Sequence, residues 1–234
     1  MTSWMGERFH PATLRQFAGD SARRASLGRE VARLVAKGGY RGVVLDFEDH
    51  AAEDSLVLAT VTESIAQRVR ARGGIVALAV PAGEAPAYRS ARLLDAVDRV
   101  VVMLYDEHWS GSAPGPVASP EWVSARLGEW VAAEGAGRVV AALPSYGYYW
   151  RNAAPGAVIG HADLLRLATE AGAPVRRDST TGAAVVALPD GAEAWYSDAA
   201  ALSRLLEVTK GHRVGTVALW RLGLDDPALW PEPR

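Results

Sequence analysis

Two carboxylates end the first apolar strand pattern of the chain. Asp46 and Glu48 follow the run Val43 to Leu45 and stand two residues apart. Side chains at that spacing on a strand point to the same side, and like-charge repulsion from an ionised Asp46 favours a protonated Glu48. Such a pair predicts a general acid with an ionised neighbour. The tripeptide by itself is more often only the charged start of a loop, so the prediction depends on its companions.

Companion residues follow the other apolar runs. Active sites of parallel α/β folds form where the strands end, so these positions are expected to converge on one cleft with Glu48. Carboxylates serve the cleavage of a glycosidic bond, and flat aromatic rings stack on sugar faces. Taken singly, each is more often a strand terminus or a core residue. The companions are Tyr105 with Asp106, Tyr146 with Trp150 beyond it, and Trp220 with Arg221.

Helices and doubly buried strands alternate along the chain. Helical spacing of apolar residues, ended by Gly38-Gly39 and Gly73-Gly74, alternates with short apolar runs. This alternation predicts an α/β fold with a parallel sheet. The helix after Asp20 is expected to bury Leu27, Val31, Leu34 and Val35. The strands are predicted at Val43 to Asp46, Ile75 to Val80, Val100 to Tyr105, Val139 to Leu143 and Val214 to Trp220.

The rhythm breaks between about residues 151 and 196. A helix around Leu164 to Ala171 is followed by two apolar segments about the turn Pro189-Asp190-Gly191, which indicates a hairpin. We interpret this segment as a small α+β insertion before the last strand. The whole chain, 1–234, is interpreted as a single domain.

The composition excludes several classes of function. The 234 residues carry a formal charge of only −2 without basic runs, which argues against a nucleic-acid partner and fits a neutral one such as a glycan. Cysteine is absent, and the five histidines lack paired metal-ligand spacing, so neither cofactor nor metal is expected and a metal-dependent deacetylase is set aside. The longest apolar run is too short to cross a bilayer, so a membrane is expected only through segments outside this chain.

Four segments in order resemble glycoside hydrolase family 18, the chitinase-like barrels. The resemblance runs from about Phe9 to Trp230. It is nearest to the bacterial branch that includes spore-cortex-lytic enzymes, and it is similar at its end to proteins that join such a barrel to deacetylase-like and glycosyltransferase segments. The four segments are Gly39 to Glu48, Val102 to Trp109, Leu143 to Trp150 and Val217 to Gly223.

The resemblance implies a (β/α)8 barrel and a glycosidase. Such an enzyme would cleave β-1,4 bonds next to N-acetylglucosamine in peptidoglycan- or chitin-like glycans by a retaining, substrate-assisted mechanism. Glu48 would donate the proton, Asp46 would orient the acetamido group and Tyr105 would hydrogen-bond it. Substrate binding would fall to Asp106, Tyr146, Trp220 and Arg221. A substrate of this class suggests the cell envelope or the exterior, although the sequence leaves the compartment undecided.

Arg41 and Val44 depart from the family signature. Arg41 stands where the family usually has its first aspartate, and Val44 stands where it has a second aspartate or, in the cortex-lytic branch, asparagine. Asp46 therefore lacks its usual acidic neighbour. The alternative function is a non-catalytic, lectin-like barrel that binds carbohydrate. Arg41 and Val44 favour that alternative, whereas Asp46 and Glu48 favour the enzyme.

The strand count predicts an N-terminally incomplete barrel. In the resembled barrel the catalytic glutamate lies at the end of the fourth strand. Here Glu48 lies at the end of the first of about five predicted strands. Met1 to Phe9 are long enough for no more than the stub of one further strand. Unpaired edges at Val43 to Asp46 and Val214 to Trp220 would favour self-association. We therefore expect the isolated chain to express poorly or self-associate, and its upstream coding region to restore solubility and activity together. Other domains of a longer polypeptide are candidate partners.

Overall fold

The computed structural model describes residues 1–6, 8–83, 85–151 and 155–230. The chain divides into two compact units, Met1–Met103 and Leu104–Arg234. Each unit is described by itself.

The first unit alternates helices with parallel strands. β3, β4 and β5 pair in that order, so that Leu45 lies beside Leu78 and Leu78 beside Val100. Short 3-10 turns lie at Ala52–Asp54 and Pro86–Tyr88. The elements are β1 (Trp4–Met5), β2 (Arg8–Phe9), α1 (Pro11–Gly19), α2 (Ser21–Lys37), β3 (Gly42–Leu45), α3 (Ser55–Arg70), β4 (Ile75–Pro81), α4 (Ala91–Asp95) and β5 (Arg99–Met103).

The core of the first unit lies between α3 and the strands. Leu58, Val61, Ile65 and Val69 recur at helical spacing on one face of α3, and all four side chains are buried. The strand β4 is buried along almost its whole length, as an uninterrupted apolar run requires in a parallel sheet.

The buried face of α2 differs from the prediction. Asp20 caps the helix by accepting from two backbone N–H groups, as expected, but the buried residues are Gly28, Val31 and Ala32. Leu34 is half exposed. The reason is Gly28: a Cβ atom there would stand 2.6 Å from the backbone oxygen of Ser64, so the helices approach along the glycine.

The outer edge of β3 is partly covered by the first residues of the chain. The Met1 amine donates to the Val44 carbonyl at 2.6 Å, and the Asp46 N–H donates to the Met1 carbonyl at 2.7 Å. Thr2 forms a parallel bridge with Asp46. The expected strand stub is thus present, and the prediction that β3 lacks a neighbour on this side is wrong for its last residues.

The second unit holds two more parallel strands and a separate antiparallel sheet. β6 and β12 are parallel, with Leu219 beside Leu143. The antiparallel sheet has the order β8-β7-β11-β10-β9. The elements are α5 (Pro120–Glu134), β6 (Val139–Pro144), β7 (Gly147–Trp150), β8 (Ala157–Ile159), α6 (His161–Glu170), β9 (Arg176–Arg177), β10 (Ala184–Ala187), β11 (Glu193–Tyr196), α7 (Ala199–Gly211) and β12 (Val217–Trp220).

The antiparallel sheet is the predicted insertion, but it is larger than expected. The hairpin about Pro189-Asp190-Gly191 is confirmed as β10 and β11. The insertion begins at Gly147 rather than near 151, because β7 pairs with β11 along its whole length. Trp150 is therefore the last residue of the strand β7.

Two predicted strands are shorter than expected. Arg213 has a positive φ of 59° and the Val214 N–H donates to the Thr209 carbonyl, so this segment closes the end of α7 and β12 starts only at Val217. The strand β5 ends at Met103, and Asp106 beyond it adopts a left-handed φ of 63°. Among the described residues the first unit has three of the predicted parallel strands and the second unit has two, which confirms the predicted count of five.

Within the described ranges, no helix combines the length and the apolar character that crossing a bilayer demands.

The close approach at Gly28 generates a stability prediction. Gly28→Ala is expected to lower the free energy of unfolding by about 1–3 kcal/mol, because the new methyl group overpacks against the Ser64 backbone. Gly19→Ala is the matched control, since a Cβ there meets nothing within 4 Å. Urea unfolding of both variants measures the difference. Equal stability of the two variants would contradict the tight α2–α3 packing.

Candidate functional site

The acid pair of the first unit stands where β3 ends. Leu45 and Phe47 have 0% of their surface exposed, whereas Asp46 and Glu48 are partly exposed. This alternation follows the two-residue period of extended chain and turns the two carboxylates away from the side chains in the core. Asp46 and Glu48, which were predicted to point to the same side, are thus both partly exposed.

A partly buried ionic network follows the acid pair, in which Asp54 is buried and the Arg15 side chain is half exposed. Arg15 on α1 donates to both oxygens of Asp54, at 2.6 and 2.7 Å, and His50 Nδ1 lies 3.3 Å from the same carboxylate. The hydrogen bonds from Arg15 hold the pKa of Asp54 below its usual value. Burial lowers the pKa of His50, although the Asp54 carboxylate opposes this shift. The network fixes the end of the loop that carries Glu48.

An aromatic group gathers around Asp106 in the second unit. Asp106 accepts hydrogen bonds from the hydroxyls of Tyr146 and Tyr148, the latter at 3.0 Å. Tyr105 meets Tyr146 edge to face with ring centroids 6.3 Å apart. On its other side Tyr105 stacks on Trp220, with centroids 6.2 Å apart and planes inclined by 13°. Tyr105, Asp106, Tyr146 and Trp220 therefore lie together within this unit, and their convergence on one cleft with Glu48 stays a prediction.

The Asp106 carboxyl is under two opposing influences. Desolvation by the surrounding rings raises its pKa, and the two phenol hydrogen bonds, which favour the ionised form, oppose that rise. The residue nevertheless keeps more than a third of its surface exposed. We therefore expect a bound molecule that covers this surface to raise the pKa of Asp106 further.

The loop after Asp106 is tied to the start of α5. The Glu107 carboxylate accepts from the Ser119 backbone N–H at 2.6 Å and from the Ser119 hydroxyl at 3.0 Å. Ser119 is also the N-cap of α5 and accepts from the Trp122 N–H. Glu107, whose side chain is fixed in this way, therefore helps to hold the left-handed backbone of Asp106 next to it.

Trp220 and Arg221 are positioned by buried Ser145. The Ser145 N–H donates to the Trp220 carbonyl at 2.7 Å, and the Ser145 hydroxyl donates to the Arg221 carbonyl at 3.1 Å. The peptide bond between Trp220 and Arg221 is cis. The Trp220 indole is 47% exposed and the Arg221 residue is exposed, so both side chains are open to a ligand.

Sequence reasoning missed Tyr148, which contacts Asp106 directly. The signal was present, because Tyr146, Tyr148 and Trp150 alternate and so share one side of β7. Ring centroids along this side are 5.6 and 5.5 Å apart. All three side chains are buried, with Trp150 only 3% exposed, so Trp150 does not present an open ring face to a sugar.

Comparison with known proteins identifies the class of this molecule. The family model described as glycosyl hydrolases family 18 matches residues 5–225. The chain belongs to glycoside hydrolase family 18, which confirms the resemblance seen in the four segments.

Across the part of the chain that the structure describes, no cluster of three His, Asp or Glu side chains is arranged to hold a metal ion.

The chain is similar to a putative sporulation-specific glycosylase, YdhD, of Bacillus subtilis. The two are 26% identical over 237 residues, which cover 95% of this chain and 56% of the relative. This chain thus spans little more than half the length of that protein.

Solved structures share the fold. The Bacillus cereus spore cortex-lytic enzyme SleL matches with a TM-score of 0.87 at 21% identity, over 98% of this chain and 56% of that one. The chitinase from Chromobacterium violaceum matches with a TM-score of 0.83 at 22% identity, over 95% and 74%. The α/β fold class of the chitinase-like barrels is therefore confirmed.

The phenol contacts of Asp106 generate a prediction about its titration. Tyr146→Phe removes a hydrogen bond to the ionised carboxylate, so the pKa of Asp106 is expected to rise, by about one unit. Carboxyl 13C NMR over a pH series measures the shift. Tyr149→Phe is the control, since its hydroxyl contacts Arg151 instead. A pKa of Asp106 that falls or stays constant in Tyr146→Phe would contradict the role of the phenol.

Proposed function

We propose that this protein is a glycosidase that cleaves β-1,4 bonds next to N-acetylglucosamine by a retaining, substrate-assisted mechanism. Membership of family 18 and the structural likeness to chitinases and spore cortex-lytic enzymes support hydrolysis of a glycan. The bond, the mechanism and the residue roles are the content of the proposal.

The acid pair is the observation that carries the proposal. Phe47 and Leu45 are fully buried, and this burial presents Asp46 and Glu48 together on the partly exposed side of the strand end. To protonate a glycosidic oxygen in this mechanism, a site needs a carboxyl group that can donate a proton and an ionised carboxylate next to it.

In the proposed mechanism the substrate supplies its own nucleophile. The acetamido oxygen of the sugar attacks the anomeric carbon while Glu48 protonates the leaving oxygen, so the bond to that oxygen breaks as a cyclic intermediate forms. Glu48, now ionised, then accepts a proton from the water that opens the intermediate. Asp46 orients the acetamido group and stabilises the positive charge that develops on it.

The residues of the second unit are assigned to substrate binding and orientation. Tyr105 hydrogen-bonds the acetamido oxygen and Asp106 binds the sugar, an assignment supported by the phenols that fix the Asp106 carboxylate. Trp220 provides a flat, half-exposed ring for a sugar face, and Tyr105 stacks behind it. Tyr146 acts mainly through Asp106 because it is only 4% exposed, and Arg221 contributes an exposed cation beside Trp220.

The substrate class is an N-acetylated polymer such as peptidoglycan or chitin. The likeness to a spore cortex-lytic enzyme and to a chitinase favours such glycans, and the formal charge of −2 suits a substrate without strong charge. Such polymers lie outside the cytoplasm, so we place the activity at the cell envelope or beyond it.

A carbohydrate-binding function without turnover is the second candidate. Val44 and Arg41 support it, because neither supplies the acidic neighbour that the family signature gives to Asp46. Affinity for an N-acetylglucosamine oligomer without release of a fluorogenic leaving group would identify that function.

The first kinetic prediction concerns the proton donor. Glu48→Gln is expected to lower turnover of a fluorogenic N-acetylglucosamine oligomer by about 10²–10⁴-fold with little change in binding, because only proton donation is lost. Glu53→Gln, an exposed residue on the next turn, is the matched control. Turnover of Glu48→Gln equal to that of the wild type would refute the assignment.

The second kinetic prediction concerns Asp46. Asp46→Asn is expected to lower turnover by about 10²-fold, yet to leave more residual rate than Glu48→Gln, since Asp46 stabilises charge and donates no proton. Asp49→Asn provides the control, because Asn tolerates the left-handed backbone of that exposed position. Wild-type turnover in Asp46→Asn would exclude the substrate-assisted mechanism.

A further inference from the structure

The hydroxyl of Tyr88 contacts the backbone between the two residues of the acid pair. Tyr88 ends the 3-10 turn after β4, and only 2% of its surface is exposed. Its hydroxyl donates to the Phe47 carbonyl at 2.7 Å, and Phe47 is the residue between Asp46 and Glu48. The peptide that joins the two acidic residues is therefore held from within the core.

The hydrogen bond from Tyr88 to the Phe47 carbonyl forms a bridge between the turn after β4 and the residues just beyond β3. In an ordinary β-turn the Phe47 carbonyl would accept from the N–H of His50, three residues further along the chain. Here the Phe47 carbonyl accepts from the phenol, and the residues between Phe47 and His50 are Glu48 and Asp49.

Both ends of the enclosed segment are anchored. The Phe47 ring is fully buried, and the His50 side chain has 0% exposed surface beside Asp54. Asp49 has a φ of 60°, a conformation that few residues adopt without support from their surroundings. Glu48 is therefore carried by a short segment that is held at Phe47 by the Tyr88 bridge and at His50 by its buried side chain.

The phenol remains a neutral donor throughout the working range of an enzyme. Burial raises the pKa of Tyr88 well above its ordinary value, and the nearby carboxylates of Glu48, Asp49 and Asp46 raise it further, against the effect of the His50 backbone N–H. The hydrogen bond to the Phe47 carbonyl consequently does not titrate when a carboxylate does.

We propose that Tyr88 is a positioning residue that fixes the direction of Glu48 through its hydrogen-bond bridge to the Phe47 carbonyl. The inference rests on the proposed function, in which Glu48 is the proton donor. It assigns a part in that reaction to a residue that need not touch the substrate.

Tyr88→Phe tests the bridge, since it keeps the buried ring and removes only the hydroxyl. We expect kcat for a fluorogenic N-acetylglucosamine oligomer to fall about 10- to 100-fold, because small misplacement of a catalytic group is costly, while KM stays within about twofold. A kcat within about twofold of the wild type would overturn the proposal.

Tyr196→Phe is the matched control for loss of stability. Tyr196 is also fully buried, and its hydroxyl donates to the Leu224 carbonyl at 2.6 Å. We expect both variants to lose thermal stability, but only Tyr88→Phe to lose turnover when each is assayed well below its Tm. An equal loss of kcat in both variants would show that the effect of Tyr88 is merely structural.

A titration separates this proposal from the proposed function. Carboxyl 13C NMR follows Glu48, whose signal is assigned by its loss in Glu48→Gln, and requires no turnover. Tyr88→Phe is expected to shift the titration midpoint of Glu48 by about half a unit or more, and Tyr196→Phe is expected to leave it unchanged. A wild type without hydrolysis would refute the proposed function alone, whereas an unchanged midpoint in Tyr88→Phe would overturn the bridge.

Discussion

Burial of Phe47 between two partly exposed acidic residues is the constraint on which the acid pair depends. A side chain of this size gains about 1.5–3 kcal/mol from complete burial, which is enough to fix the register of a strand end. Because successive side chains alternate, placing Phe47 in the core obliges Asp46 and Glu48 to face the other way. A shift by one residue would bury both carboxylates at a far larger cost.

The second unit uses a different device to hold its carboxylate. Asp106 is not fixed by strand alternation, since it lies beyond β5 in a left-handed conformation. Two phenol hydroxyls hold its side chain, and the Glu107–Ser119 contacts hold the following loop. A carboxylate that accepts hydrogen bonds from neutral donors keeps its negative charge available to a ligand. An arginine partner would neutralise that charge, as Arg15 neutralises the charge of Asp54.

Val44, the exposed residue of β3, is one of the two positions at which this chain departs from the family signature. Val44 is 47% exposed on the side of the strand shared by Asp46 and Glu48, so an apolar side chain stands where the signature has an acidic one. Loss of that neighbour removes one source of like-charge repulsion from Asp46. The turn that carries Glu48 keeps its own anchors in Tyr88 and His50, and these are independent of residues 41 and 44.

The sequence by itself determined the alternation of helices and strands, the insertion and the identity of the acid pair. These features follow from local rules: the two-residue period of Leu45 to Glu48, the four-residue spacing of Leu58 to Val69, the caps at Asp20 and Ser119, and the turn at Pro189-Asp190-Gly191. The same alternation in β7 contained the signal for Tyr148, although it was not used.

Only the tertiary structure decided which distant groups meet. Gly28 against Ser64 turned α2 so that Leu34 became exposed, and Tyr88 reached the Phe47 carbonyl across 41 positions of the sequence. The start of the insertion at Gly147 likewise depended on pairing with β11. No local pattern encodes such contacts, because they arise from the close packing of elements whose approach is set by the shapes of all their neighbours.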